Sequence, residues 1–232
     1  ACIIIILSVG SLFAYSGPQE HRDTCLLRFS MQVHKEIYEM TNFGEPPQIA
    51  IWLEFPELDS MRTVWVARRS GRRLWKGKFE CPTALPIWQS RHEDEKSGYS
   101  GRSLISRLVD AISGATPDGG LFHAEIAVPR GERVECFVEV NVSADFNRAF
   151  PYRDENGMPD PEANGQPSLV YAGSMTTLPG KKKKLSLRGR SDQWVAVDTV
   201  ITDLEGITTA KEVVTDITVS CLSPVTQSGK QD

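Results

Sequence analysis

The clearest signal along this chain is a hydrophobic period of two. In residues 48–55, Ile49, Ile51, Leu53 and Phe55 alternate with Ala50, Trp52 and Glu54, the pattern of a strand that turns one face to a core. Residues 133–142 repeat it, with Val134, Cys136, Val138, Val140 and Val142 on one face and Arg133, Glu135, Glu139 and Asn141 on the other. Further strands are expected over residues 25–33, 63–67, 121–128, 194–204 and 212–222, for a total of about seven. A helical period occurs in residues 103–112, where Leu104, Ile105, Leu108, Val109 and Ile112 share a face.

Turn signals such as Gly44-Glu45-Pro46-Pro47, Pro117-Asp118-Gly119-Gly120 and Pro129-Arg130-Gly131 separate these runs. The pattern therefore predicts an all-β antiparallel β-sandwich with one short helix. Its domain spans residues 24–223 and carries an insertion at 144–167, rich in Pro, Asn, Asp and Gly. Residues 224–232 read as a flexible tail.

The first sixteen residues hold Ile3-Ile4-Ile5-Ile6-Leu7 and Leu12-Phe13 and no charge; charge begins at Glu20, His21 and Arg22. As a helix this segment reaches roughly 24 Å against a bilayer core of about 30 Å. The expectation is a single N-terminal hydrophobic anchor helix, residues 1–17. Cleavage near Ala14-Tyr15-Ser16 or lipidation of Cys2 are the other readings. Either way the domain is expected outside the cytoplasm, on the periplasmic side of the inner membrane.

Composition narrows the function classes. A net charge of −4 over 232 residues gives no general basic field, which argues against a nucleic-acid partner. The local exception, Lys181-Lys182-Lys183-Lys184 after Pro179-Gly180, reads as a solvated hairpin loop. Outside the leader lie Cys25, Cys81, Cys136 and Cys221. Their number suits two disulfides in an oxidising compartment, with three pairings open, and no Cys-x-x-Cys pair points to zinc or haem. The four histidines lack metal-ligand spacing, and no phosphate loop, dinucleotide fingerprint or nucleophile elbow occurs, so no catalytic residue is assigned.

Three groups could carry a site. Asp154, Asn156, Asp160 and Glu162 cluster oxygen ligands that would suit calcium, although a solvated acidic loop explains them as well. Arg72, Arg73, Trp75 and Lys76 form a basic segment around an aromatic ring, suited to docking an acidic partner or lipid headgroups. The other tryptophans, Trp52, Trp65, Trp88 and Trp194, are expected in the sandwich core. The third group is Asp110-Ala111-Ile112-Ser113-Gly114-Ala115-Thr116, where a glycine and two hydroxyls share a predicted turn.

Pro47-Gln48-Ile49-Ala50-Ile51-Trp52-Leu53, Met61-Arg62-Thr63-Val64, Leu85-Pro86-Ile87-Trp88 and the Asp110 to Thr116 string together resemble a family of periplasmic proteins grouped as a domain of unknown function. The resemblance covers roughly residues 25–147. It implies an immunoglobulin-like sandwich, found beside flavin transferases and membrane electron-transfer proteins, and it implies no known activity.

The same string is similar to the flavinylation motif of sodium-pumping quinone reductases and Rnf-type complexes. That similarity implies FMN esterified to Thr116, with Asp110, Ser113, Gly114 and Ala115 forming the recognition signal. The chain departs from the motif at Pro117-Asp118. The resulting expectation is a non-catalytic, membrane-tethered accessory or scaffolding subunit of a respiratory or photosynthetic complex, without cofactor and bound to an integral membrane protein complex. A periplasmic flavoprotein with covalent FMN is the alternative, and a soluble secreted binding module is the second.

Overall fold

A computed structural model describes residues 23–72, 84–97, 113–160, 163–196 and 198–223. The anchor segment, the helix expected at 103–112, Cys81 and the tail from 224 onward lie outside the described residues.

Two sheets stack face to face. The four-stranded sheet runs β5-β1-β10-β8, with β1 Thr24–Val33, β5 Gly120–Pro129, β8 Lys182–Lys184 and β10 Val214–Leu222. The six-stranded sheet runs β4-β3-β2-β6-β7-β9 and comprises β2 Gln48–Phe55, β3 Ser60–Ala67, β4 Ser113–Gly114, β6 Arg133–Asn141, β7 Leu169–Thr176 and β9 Ser186–Arg190. All pairings are antiparallel except β3 with β4. The expected β-sandwich is therefore present, and its long strands at 24–33, 48–55, 60–67, 120–129, 133–141 and 214–222 match the alternating runs.

Alternation explains the main core. Leu27, Phe29 and Met31 of β1, with Ile217 and Val219 of β10, face Ile49, Ile51 and Leu53 of β2 and Val134, Val138 and Val140 of β6. Burying such side chains contributes roughly 1.5–3 kcal/mol each.

The second face of the six-stranded sheet departs from expectation. Ala50 and Trp52 of β2 and Val170 of β7 pack under Ala84 and Leu85, which lead into helix α3, Pro86–Ser97, and under Ile87 and Trp88 of its first turn. Trp52 stacks on Phe137 of β6 with ring centroids 5.0 Å apart. Strands β2 and β6 are thus covered on both sides, and Glu139 and Asn141 are buried rather than solvated. Proline at the first helical position gives α3 its start, because the missing N–H costs nothing there.

The described residues of 194–204 do not form the expected strand. Asp192 Oδ1 accepts hydrogen bonds from the backbone N–H groups of Trp194 and Val195, which turns the chain outward and leaves both residues exposed. What remains there of strand character is the bridge between Arg190 and Ile201. Trp194 is accordingly not core, whereas Trp52 and Trp88 are buried.

The lysine run is a strand rather than a loop. Lys182–Lys184 pair with β10 at the edge of the four-stranded sheet, all exposed, where lysines discourage edge-to-edge association. At buried Leu185 the chain crosses the core and continues as β9 of the other sheet.

Candidate functional site

The described part of the Asp110 to Thr116 string begins with β4, whose backbone pairs in parallel with Val66 and Ala67 of β3. Ser113 and Gly114 are therefore sheet edge, not a turn. Gly114 is required by close approach: a Cβ there would lie 2.6 Å from Trp65 Nε1. Trp65 in turn packs edge-on against Phe122 at 4.8 Å. Beyond β4, Ala115 is exposed and Thr116 half-buried in an extended stretch. Asp110 lies outside the described residues.

Asp118 then fastens the stretch to α1, Lys35–Tyr38. Tyr38 Oη donates to Asp118 Oδ1 at 2.7 Å, and Lys35 Nζ lies 3.1 Å from both carboxylate oxygens. The tyrosine hydroxyl and the ammonium hold the Asp118 carboxyl below its ordinary range, while burial and Asp118 raise Tyr38. Gly119, at φ +97°, holds a conformation only glycine adopts freely, and a Cβ there would lie 3.0 Å from Lys35 Cβ. Residues 113–120 thus form a pinned connection from the edge of one sheet into β5 of the other.

Of the proposed calcium ligands, Asp154 and Asp160 serve separate structural tasks. Asp154 Oδ1 accepts from the N–H groups of Asn156 and Met158 and closes its own turn. Asp160 is buried, and its Oδ2 accepts from Gly165 N and Gln193 Nε2. Asn156 is exposed, and Glu162 lies outside the described residues. Among the described residues no group of three or more His, Cys, Asp or Glu is placed to hold a metal ion.

The insertion itself is ordered where described. Asp145 bonds Thr209 Oγ1 and Gln166 Nε2 at 2.7 Å, and Gln166 Oε1 accepts from Thr208 N. Burial raises the Asp145 carboxyl.

Glu139 is the buried titratable group that the alternation concealed. Its carboxylate accepts from Ile87 N at 3.3 Å and Trp88 N at 2.8 Å, in the first turn of α3, and from Ser168 Oγ at 2.6 Å. Burial pushes it up to about 7 against the pull of those three bonds. A perturbed carboxyl often marks an active site, yet every bond described here fastens α3 and β7 to the sheet. The sequence clue was Trp52 and Ala50 on the supposed outer face of the neighbouring strand.

A basic surface forms at the end of the sandwich where the chain enters. Arg130 N bonds Asp23 O, Gly131 N bonds Thr177 O, Gly180 N bonds Cys221 O and Cys221 N bonds Lys181 O. These bonds gather the start of β1, the β5–β6 turn, the β7–β8 turn and the end of β10. Arg130, Arg133, Lys181, Lys182 and Lys183 are exposed there, beside Leu178, with Asp23 and Glu132 as the acidic groups on the same turns. Lys184 lies farther along and pairs with Asp216. Sequence spacing hid this cluster because its members come from two connections about 50 positions apart in the chain. Of the other basic group, Arg72 ends α2, Arg68–Arg72, and is exposed; Arg73, Trp75 and Lys76 lie outside the described residues.

Compared with protein-family models, with curated proteins and with solved structures, the chain matches none of them.

Proposed function

We propose that this chain is a non-catalytic, membrane-tethered accessory subunit, an immunoglobulin-like sandwich held against the extracytoplasmic face of a membrane electron-transfer complex. The observation that carries the tethered reading is the basic end of the sandwich. Five exposed cationic side chains lie at the β5–β6 and β7–β8 connections at the end of the sandwich where β1 begins, and the preceding sequence contains the uncharged Ile3 to Leu7 run. A segment that inserts in a bilayer would bring this end to the headgroups, where each Lys or Arg contributes about 1 kcal/mol toward anionic lipid. The non-catalytic reading is supported by Glu139, Asp145 and Asp160, whose bonds join elements of the fold. The electron-transfer setting rests on the family resemblance.

The test is co-sedimentation of the full chain with phosphatidylcholine vesicles, with and without phosphatidylglycerol. Binding is expected to be stronger with the anionic lipid and to fall as salt rises. Reversing Lys181, Lys182 and Lys183 to Glu should weaken it by about 100-fold or more. Equal binding to both vesicle types, unchanged in that variant, overturns the headgroup role, and binding to neither leaves a soluble binding module.

A second reading has one feature in its favour: Ala115 is exposed and Thr116 half-buried on an extended edge, where a modifying enzyme could reach the hydroxyl. An FMN mass on Thr116 in protein from native membranes would make the chain an electron carrier instead.

A further inference from the structure

We infer that Cys25 and Cys221 form a disulfide that ties the first strand of the domain to the last. Cys25 is the second residue of β1 and Cys221 the last but one of β10, and these strands are neighbours in the four-stranded sheet. Their register pairs Leu26 with Leu222 and Leu27 with Cys221, so the two cysteines face each other diagonally. Both side chains point into the core, each 1% exposed. The sulfurs are 3.0 Å apart although 196 positions separate them in sequence, and a disulfide of about 2.05 Å needs a further approach of only about 1 Å.

The third described cysteine has different neighbours. Cys136 sits on β6 in the opposite sheet, across from Leu53 and Gly173. In the reduced state Cys221 Sγ lies against Cys25 Sγ, which donates weakly to Thr177 O at 3.5 Å. Burial first, and then Cys25, push the Cys221 thiol up to about 12, so that thiol is a poor nucleophile in the folded protein, and both sulfurs are buried away from an external oxidant. The bond therefore forms during folding or when the strand ends open.

The reaction is thiol–disulfide exchange. One cysteine thiolate attacks an external disulfide and expels one of its thiols. The second cysteine then attacks the mixed disulfide, expelling the other. The Cys25–Cys221 bond forms, the oxidant's S–S bond breaks, and two electrons and two protons pass to the oxidant, which leaves as two thiols. A compartment outside the cytoplasm supplies oxidants of this class. Closing so long a loop restricts the unfolded chain strongly and pins the two strand ends from which fraying would start.

The test is to fold the full chain in oxidised and reduced glutathione, alkylate it under denaturing conditions and map its peptides without reduction. The expected product joins the Cys25 and Cys221 peptides, is lighter by two hydrogens and leaves Cys136 alkylated. Adding dithiothreitol should lower the melting temperature by about 5–15 °C, and a Cys25→Ala, Cys221→Ala double variant should lose that sensitivity. Cys25 and Cys221 both alkylated after oxidative folding, or either one bridged to Cys81 or Cys136, overturns the assignment. The mapping is done on the unaltered chain, so it decides the matter even where the variant does not fold.

Discussion

The two sheets meet water differently. In the four-stranded sheet, β1 alternates strictly between buried and half-exposed positions, and its outer face carries Arg28, Ser30 and Gln32 opposite Glu125, His123 and Leu121. In the six-stranded sheet, β2 is buried at seven of its eight positions, because residues 84–88 and α3 lie on its second face. One sheet is a boundary and the other an interior layer. The same period of two in the sequence therefore accompanies two different energetic situations: on the first sheet the outward residues add little stability, and on the second they form another core with a buried carboxylate at its edge.

The largest effect should come from comparing large-to-small substitutions on the two faces of the interior layer. Trp52→Ala is expected to cost about 3–5 kcal/mol, as much as Phe29→Ala in the main core. Urea denaturation measures both, and a near-neutral Trp52→Ala would mean that the second face is open to water.

Next is Glu139. Its folded value of about 7 lies above the ordinary 4.5, so between those values the folded protein binds more protons than the unfolded chain. Stability from this group is therefore fully present below about pH 4.5 and is lost as pH rises to about 7, with a span on the order of 3 kcal/mol. The difference in urea midpoint between the parent protein and Glu139→Gln, followed from pH 4.5 to 8, should show that slope in the parent alone. Parallel profiles would place Glu139 in a wetter site.

Gly114→Ala should cost about 1–3 kcal/mol, since its methyl must displace the Trp65 indole. A loss of Trp65 fluorescence intensity or a spectral shift should accompany it. The smallest effect is expected at the boundary sheet: Arg28→Ala breaks a half-exposed pair with Glu125 and should change stability by about 0.5 kcal/mol or less. A cost comparable to that of Gly114→Ala would show that this face too is covered.

The candidate site was legible in part. Gly114 stood out in the sequence, but as a turn residue, because its partner Trp65 lies 49 positions away and no local pattern links them. The Lys181 to Lys184 run was visible as charge. Its place along β10, at the end of the sandwich that also carries the β5–β6 turn, was not, since pairing between distant segments creates that surface. Glu139 was assigned to solvent on the strength of its neighbours at 138 and 140, although its actual environment comes from Ile87, Trp88 and Ser168.

Local sequence was sufficient to locate the long strands and their inward faces. Backbone geometry alone sends successive side chains to opposite sides, so Ile49, Ile51 and Leu53 had to share a face wherever that strand lay. Tertiary structure decided whether the other face met water, where the chain crossed between sheets at Leu185, that Asp192 would turn residues 194–204 away from strand geometry, and which two of the described cysteines would meet. Each of these depends on groups brought together from far apart in the chain, and burial is a property of that assembly rather than of the local pattern.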